Sequence, residues 1–345
     1  MKDRIRLALV GCGAVARILH LPAIGRLEAL ELAAFVDPSA ERARELAQPY
    51  RDARVVEDYR ELDNVDAAIV AAPNHLHAPI AIDLLRRGID VLVEKPMALS
   101  SRDGEQMVAA ARESGGILAA GMVMRFFHPA RFVKQVLAKN LLGRIHAFDL
   151  RVEVVSAWPA ATDYALHRQQ SGGGVLINHG AHILDLLLWW LGDYSEAAFF
   201  DDALGGVECN CEIMLRLRSG ARGTVEISRM RTLRNTCLIE GERGTLEAEL
   251  RDPNGRIYLK QGDDLVLHGC IAAAGSSERE SAQDVFQRQL SDFADAVRRR
   301  RAPYVPGEEA LRSLRLIEAC YASREPLEVP WMTSSPVQHG SRRVA

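Results

Sequence analysis

Three polar side chains near the middle of the chain have the spacing of one helix face. Asn178, His182 and Asp185 are four and three residues apart, and side chains at these intervals lie side by side on a helix. An imidazole titrates near neutral pH, so His182 can act as a general base towards an alcohol. Asn178 can donate and accept hydrogen bonds, but it cannot ionise. We expect this face to bind a hydroxylated ligand, with His179 facing away from it.

A structural role competes with this interpretation of the helix face. His182 and Asp185 could simply satisfy each other's hydrogen bonds near a buried helix end. A metal centre at His182 is not expected, because no further carboxylate or cysteine is spaced to complete one.

A glycine-rich turn near the start of the chain could hold a phosphate. Residues 11–16, GCGAVA, lie between an apolar run over 5–10 and a predicted helix. Gly11 permits a tight turn, and Gly13 lets backbone N–H groups at a helix N-terminus approach a pyrophosphate. The pattern is weak alone, but in this context it predicts dinucleotide binding. The expected contacts are Gly11, Gly13, Ala14 and Val15.

Asp37 follows the next apolar run, 30–36, about 20 residues beyond the turn. A carboxylate at this place can accept hydrogen bonds from the adenosine ribose, and its charge would repel a 2′-phosphate. These residues therefore favour NAD over NADP. Arg42 and Arg44 keep NADP open as the less favoured cofactor, and an Asp that only begins a turn before Pro38 is the structural alternative.

The triplet Glu94-Lys95-Pro96 directly follows an apolar run over 89–93. The ammonium of Lys95 could stabilise the negative charge that develops when an alcohol loses its proton. Positive charge on an oxidised nicotinamide could lower the pKa of Lys95, which makes it the alternative base to His182. We count Glu94 and Lys95 among the expected cofactor contacts.

Other polar residues also follow predicted strands, where ligands bind in a parallel sheet. Ala72, Asn74 and His77 come at the end of the predicted strand 65–72 or just beyond it, and we expect them beside the nicotinamide ribose. Capping of the next helix is the alternative for Asn74. Arg125 is expected to end a strand at the domain boundary, where it could reach the cofactor or substrate or form a surface ion pair.

The segment before the glycine run 172–174 could complete a polyol pocket. Trp158, Tyr164 and Arg168 offer ring stacking and charged hydrogen bonds, although ordinary packing would explain them equally well. The expected substrate contacts are Lys95, Trp158, Arg168, Asn178, His182 and Asp185.

Strands alternate with helices in the first part of the chain, and this alternation predicts an α/β fold with a doubly wound parallel sheet. We assign residues 1–125 to an NAD-binding Rossmann domain. After it the chain becomes a series of strands separated by turn residues. These predicted strands are 209–217, 222–229, 236–240, 245–249 and 256–259.

The series of strands predicts a C-terminal α+β domain over 126–331 with a large, mainly antiparallel open sheet. Predicted helices over 129–139 and 181–191 can cover its apolar face. The other face could pair with a second subunit or remain solvated. Residues 332–345 are polar and without periodicity, which indicates a loose tail.

Composition excludes several classes of protein. The 345 residues are 48% hydrophobic and 26% charged, which is typical of a globular chain of two domains. A net charge of −3 offers no basic field for nucleic acid, and the basic run 298–301 indicates a solvated helix end. The longest apolar run, 186–191, is far shorter than the roughly 20 residues of a membrane span. Six cysteines without a CxxC pair or a secretory signal predict a reduced, cytoplasmic chain.

Together these residues resemble the Gfo/Idh/MocA oxidoreductases, a family that includes glucose-fructose oxidoreductase and inositol dehydrogenase. The resemblance spans nearly the whole chain. It is carried by the glycine-rich turn with Asp37, the stretch 71–77, the triplet Glu94-Lys95-Pro96, and the run 172–174 followed by Asn178, His182 and Asp185.

The resemblance implies that Lys95 contacts both the nicotinamide ribose and the substrate, and that His182 is the acid or base. The family usually has Asp where this chain has Asn178. It also implies homodimers or homotetramers that assemble through the C-terminal sheet.

The function implied is hydride transfer between nicotinamide and a secondary alcohol of a sugar, inositol or related polyol. One alternative is a ligand sensor on the same fold without catalysis, which the loss of Lys95 or His182 would have favoured. Another is an enzyme that keeps NAD bound and recycles it within one turnover.

Overall fold

Six short strands in the first part of the chain form one fully parallel sheet in this computed structural model, which describes residues 4–155, 162–271 and 279–328. The strands are β1 (Ile5–Val10), β2 (Leu30–Val36), β3 (Arg54–Val56), β4 (Ala67–Val70), β5 (Asp90–Val93) and β6 (Leu118–Ala120). Their order is β3-β2-β1-β4-β5-β6, so the strand order reverses between β1 and β4. The glycine-rich turn follows β1 and therefore opens onto the crevice where ligands bind in such sheets.

Four helices connect these strands. They are α1 (Leu21–Ile24), which a π-helical turn (Ala16–His20) precedes, α2 (Ala40–Ala47), α3 (His77–Arg86) and α4 (Ser101–Ser114). Every residue of β4 and β5 is buried, as expected for strands that are covered on both faces. The predicted doubly wound parallel sheet is confirmed.

A second sheet of nine strands follows. Its members are β7 (Ile145–Glu153), β8 (Tyr194–Asp201), β9 (Asn210–Leu217), β10 (Arg222–Ser228), β11 (Thr236–Gly241), β12 (Gly244–Glu249), β13 (Arg256–Gln261), β14 (Asp264–Cys270) and β15 (Arg324–Pro326). The order is β14-β13-β12-β11-β7-β10-β9-β8-β15, and only the pairs β7/β10 and β8/β15 are parallel. The expectation of a large, mainly antiparallel sheet is confirmed.

Helices cover one face of this second sheet. The remaining helices are α5 (His128–Ala138), α6 (Arg168–Ser171), α7 (Ala181–Leu191), α8 (Ala282–Arg299) and α9 (Gly307–Ala322). The alternate β9 residues Cys211, Ile213, Leu215 and Leu217 are all buried in one core with α5 and α7, as their spacing predicts.

The C-terminal helices return to the first domain. Phe286, Leu290 and Phe293 of α8 and Leu311 of α9 belong to the same apolar core as the parallel sheet. The sequence prediction had placed all of 126–331 in the second domain. These helices follow the parallel sheet by more than 150 residues, and no short sequence pattern indicates that they pack on it. Only the tertiary structure shows that the first core includes them.

Two sequence expectations fall on residues outside the described ranges, namely Trp158 and the tail 332–345. The expectation that Arg125 ends a strand is wrong, because β6 ends at Ala120 and Arg125 lies in a 3₁₀ turn (Val123–Phe126).

One helical segment, Arg168–Leu191, has the length and mean hydropathy, 1.2, of a membrane span. However, 72% of its most apolar stretch is buried inside the protein. The core helix of a soluble protein has the same properties, because it is also apolar on every side.

Candidate active site

The glycine-rich turn is tightly packed at Gly11 and open at Gly13. Gly11 has φ +96°, and a Cβ there would lie 2.5 Å from the Ala71 carbonyl oxygen, so only glycine fits between β1 and β4. At Gly13, by contrast, a Cβ would meet nothing within 4 Å. The described structure therefore leaves open space over the backbone of Gly13, at the start of the first helical turn.

Asp37 lies at the end of β2 beside this turn and is 4% exposed. Its carboxylate accepts hydrogen bonds from the N–H groups of Cys12 at 2.9 Å and Ser39 at 2.9 Å. Arg42 pairs with the same carboxylate at 3.1 Å. Asp37 therefore does more than begin a turn. Its carboxylate links the end of β2 to the glycine-rich turn and forms an ion pair with Arg42.

Lys95 reaches from the loop after β5 to the first turn before α7. Its Nζ donates to two acceptors of one residue, the carbonyl O and the side-chain Oδ1 of Asn178, each at 2.8 Å. The pKa of Lys95 is lowered to about 8: burial is the main cause, the Glu94 charge opposes it, and the Arg229 charge adds to the lowering. Lys95 and Asn178 were both expected to contact the substrate. The structure places them together, and in it Asn178 is bound to Lys95 itself.

The turn that carries Asn178 is a π-helical turn (Leu176–Gly180), and π turns occur frequently at functional sites. The glycine run that leads into it packs very closely on its surroundings. A Cβ on Gly173 would overlap the hydroxyl of Tyr321, and a Cβ on Gly174 would overlap the Glu208 backbone. Glycine is therefore required here for close approach.

Glu208 anchors the start of this turn from the loop before β9. Its Oε1 accepts the N–H groups of Gly174 and Leu176, each at 3.0 Å, and the hydroxyl of Tyr321 at 2.7 Å. The residue is 1% exposed. Sequence analysis missed Glu208, since 34 residues separate it from the backbone that it holds.

Two histidines complete the surroundings of Lys95. Burial, followed by the Lys95 charge, lowers the pKa of His182 to about 3, so its imidazole is neutral at physiological pH. Burial, followed by the charges of Lys95 and Arg229, lowers the pKa of His179 to about 2, so His179 lies near both cations. Within the described residues, Nδ1 of each histidine is buried without a hydrogen-bond partner.

Glu94 is bound to a residue that the sequence did not single out. Its Oε1 lies 2.8 Å from Nε2 of His20, at the end of the first helical turn, and Oε2 accepts the N–H of Lys95 at 3.1 Å. Burial would raise the pKa of Glu94, but His20 and Lys95 together lower it. Glu94 therefore links the glycine-rich segment to the Lys95 loop.

Arg125 and Asp185 form a buried ion pair across the two domains. Nε and Nη2 of Arg125 donate to the two Asp185 oxygens at 2.8 and 2.7 Å, and both side chains are 2% exposed. Glu309 of α9 accepts a third bond from Arg125 at 3.1 Å. This geometry contradicts both a surface ion pair at Arg125 and a pair between His182 and Asp185, because Nε and Nη2 of Arg125 bind both carboxylate oxygens of Asp185.

Asn74 and His77 make backbone contacts around the crevice. Nδ2 of Asn74 donates to the Ser171 carbonyl at 2.9 Å, and its side chain does not cap the following helix. The two ring nitrogens of His77 lie 2.8 Å from the Ala72 carbonyl and 2.7 Å from that of Pro96. These contacts position the loops after β4 and β5 against each other.

Arg168 is exposed and stacks on the ring of Tyr321, with 5.2 Å between the guanidinium carbon and the ring centre. Tyr164, which precedes it, is close enough to Glu94 for that charge to raise its pKa, although burial is the larger cause. The segment therefore borders the loop that carries Glu94 and Lys95.

Comparison with known protein families covers most of the chain. Residues 5–122 match a family described as an oxidoreductase family with an NAD-binding Rossmann fold, and residues 134–331 match its C-terminal alpha/beta domain. The chain belongs to the Gfo/Idh/MocA oxidoreductase family. The resemblance drawn from the sequence is confirmed, and the chain is an NAD(P)-binding oxidoreductase.

Individual members of the Gfo/Idh/MocA family are distant relatives. Myo-inositol 2-dehydrogenase of Thermotoga maritima is 25% identical over 94% of this chain and 96% of its own. A putative UDP-kanosamine synthase oxidoreductase subunit of Amycolatopsis mediterranei is 36% identical, but the match spans only 54% of this chain and 52% of that protein. The WlbA dehydrogenase of Bordetella pertussis, solved with NADH and UDP-GlcNAcA, has a TM-score of 0.79 and 25% identity over 94% of this chain and 96% of its own.

Within the described ranges, no group of three or more His, Cys, Asp or Glu side chains is arranged to hold a metal ion. Lys95 contacts Asn178 beside the carboxyl edge of the parallel sheet, and its charge lowers the pKa of both His179 and His182. The charge of Arg229, just after β10, lowers the pKa of Lys95 and of His179. This Gfo/Idh/MocA site thus combines an amine, two neutral imidazoles and a guanidinium in one neighbourhood.

Proposed function

We propose that this protein transfers a hydride between NAD and a secondary alcohol of a sugar, inositol or related polyol. The observation that carries the proposal is the Lys95 amine held by both oxygens of Asn178, next to the crevice onto which the glycine-rich turn opens. Oxidation of an alcohol needs a base beside the hydroxyl and an acceptor for the hydride. When bound, the nicotinamide supplies the hydride acceptor.

Lys95 is the proposed base. A neutral amine has two N–H groups and one lone pair, and the two Asn178 oxygens accept both N–H groups. The lone pair is then free to accept the substrate proton. Because the pKa of Lys95 is lowered to about 8 by burial, a useful fraction of the amine is neutral at physiological pH.

Asn178 is suited to this role because it is uncharged. A carboxylate at the same distance would favour the ammonium form of Lys95 and raise its pKa. We therefore propose that Asn178 orients Lys95 and keeps its pKa low, in place of the direct substrate contact that the sequence suggested.

His182 acts in this proposal as a neutral hydrogen-bonding group beside the substrate oxygen. With a pKa lowered to about 3 by burial and by Lys95, its imidazole is a much weaker base than Lys95. Its Nδ1 is buried without a hydrogen-bond partner among the described residues, and we propose that entry of the substrate supplies one. The order of the two candidate bases inferred from sequence is thus reversed.

The cofactor is proposed to lie along the crevice, with its pyrophosphate over Gly13 and its adenosine ribose at Asp37. The open space at Gly13 supports this placement, since a Cβ would fill it. Asp37 favours NAD, and the Arg42 guanidinium beside it, 31% exposed, offsets part of the charge that would repel a 2′-phosphate.

Relatives support the substrate class. They include a myo-inositol dehydrogenase and an anhydrofructose reductase, the latter from Ensifer adhaerens. We further propose that two or four copies assemble through the open face of the nine-stranded sheet, as the family resemblance implies.

The test is an absorbance screen at the nicotinamide band, in which the purified full chain is mixed with NAD or NADP and a panel of hexoses, inositols, sugar acids and nucleotide sugars. We expect reduction of NAD by at least one class, with a higher kcat/KM for NAD than for NADP. If NADH binds but every sugar is inert, the ligand-sensor alternative replaces the proposal. Cofactor that is retained through purification and turns over without added NAD would indicate internal recycling.

A further inference from the structure

Arg229 directly follows β10, on the side of the sheet that the turn carrying Asn178 covers. Its N–H donates to the Cys209 carbonyl at 2.9 Å, so the chain is still paired with the β9 side of the sheet at this position. Alternate residues of a strand share a face, and Arg229 therefore lies on the face of Ile227, two residues earlier. The Cδ1 of Ile227 lies 3.1 Å from where a Cβ on Gly180 would stand, directly under the turn that carries Asn178.

The charge of Arg229 has no partner in the described parts of the chain. The side chain is half-buried, yet it makes neither an ion pair nor a side-chain hydrogen bond with any described residue. Nearby, Arg231 pairs with Glu226 at 2.9 Å. A partly buried arginine without a carboxylate partner, on the side of the sheet covered by the turn that carries Asn178, is suited to an anionic ligand.

The Lys95 charge near Arg229 also favours an anionic ligand. Lys95 is a second cation near Arg229, and the Arg229 charge contributes to the lowered pKa of Lys95. The acid next to Lys95, Glu94, is hydrogen-bonded to His20 and to the backbone. A neutral polyol would leave Arg229 unpaired, whereas a carboxylate would match its planar fork of N–H groups.

We propose that Arg229 binds a carboxylate of the substrate, so that the enzyme acts on a sugar acid in preference to the neutral sugar. This inference rests on the proposed function. The carboxylate lies on the β10 side of the substrate, while Lys95 and His182 address the hydroxyl that is oxidised.

The test compares pairs of substrates that differ only at one carbon, such as glucuronate with glucose and UDP-glucuronate with UDP-glucose. We expect the wild-type kcat/KM to favour the acid in at least one pair. Arg229→Gln should reduce the ratio of acid to neutral kcat/KM by about 10- to 100-fold, mainly through KM, because a hydrogen bond between charged groups is lost. Arg229→Lys, which keeps the charge, should retain part of the preference.

Arg222→Gln is the matched control, since Arg222 is exposed at the opposite end of the same strand and should leave the ratio unchanged. A wild-type preference for the neutral sugar, or an equal loss for both members of a pair in Arg229→Gln, would overturn the inference. A preference for sugar phosphates over sugar acids would also overturn it.

Calorimetric titration of the enzyme with glucuronate gives a readout that does not depend on turnover. Binding that weakens in Arg229→Gln and in high salt supports the inference even when no hydride transfer is seen. In that case the proposed chemistry fails while the anion site stands, so the two failures are distinguishable. Absence of acid binding together with turnover of neutral sugars would remove the anion site and keep the oxidoreductase.

Discussion

Replacement of Lys95 by methionine is expected to lower kcat by roughly 10²- to 10⁴-fold, the range for loss of a positioned general base. Methionine has nearly the same length and no titratable group, so it removes the amine and leaves the side-chain volume. The two hydrogen bonds to Asn178 are lost with it. Because the glycine-rich turn and Asp37 are untouched, NADH fluorescence should show that the cofactor still binds.

Lys139→Met provides a matched control for this variant. Lys139 is exposed at the end of α5, and its replacement should leave kcat within about twofold of wild type, as for a surface substitution. The kcat values of the two variants are compared from steady-state rates measured at the nicotinamide absorbance band. A Lys95→Met enzyme that turns over as fast as the Lys139→Met enzyme would remove Lys95 from the chemistry.

Replacement of Arg125 by methionine is expected to lower the free energy of unfolding by about 3 to 5 kcal/mol, because it leaves the buried Asp185 carboxylate unpaired. Both partners are 2% exposed, and Glu309 would lose a bond as well. Urea unfolding followed by near-UV circular dichroism measures the change. The guanidinium also lies 5.2 Å from the Trp189 ring centre, so the local near-UV signal should report it.

A second change tests whether the effect comes from the buried charge. Arg125→Met combined with Asp185→Leu removes both charges of the pair and should recover much of the lost stability. Arg112→Met breaks an exposed pair with Glu308, whose side chains are 71% and 47% exposed, and should cost less than about 1 kcal/mol. Equal losses in Arg125→Met and Arg112→Met would contradict a special role for burial.

The parallel sheet could be predicted from sequence, because most of its strands appear as uninterrupted apolar runs that end at a turn or a polar cluster. The longest strand of the second sheet, β7, was nevertheless missed. Its buried residues Phe148, Leu150 and Val152 alternate with Asp149 and Arg151, so periodicity was present. No hairpin marks it, because its neighbours β10 and β11 follow about 70 to 90 residues later.

Some residues of the candidate site could likewise be predicted from sequence, and others could not. Lys95 and Asn178 were found because a strand end and helical spacing are local signals. The same spacing placed Asp185 with His182, but the partner of Asp185 is Arg125, which is 60 residues away and has no local link to it. Glu208 and Arg229 were missed for this reason too, since their roles depend on which loops the tertiary fold brings to one edge.

Asn178 shows what the structure adds to a motif. In the sequence, Asn178 is a departure from the family's usual Asp. The two bonds from Lys95 give the amide a specific task, which is to accept both N–H groups of a neutral amine.

The most direct test of the account is the pH dependence of kcat/KM for alcohol oxidation in wild type and in Asn178→Asp. The reaction requires neutral Lys95, whose pKa burial lowers to about 8, so the wild-type rate should rise with pH through this value and then level off. A carboxylate at residue 178 stabilises the ammonium, and the rising limb should move up by about one to three pH units. Asn140→Asp, at an exposed turn, should leave the limb in place. A limb that is the same in wild type and Asn178→Asp, or one that disappears only in His182→Asn, would contradict Lys95 as the base.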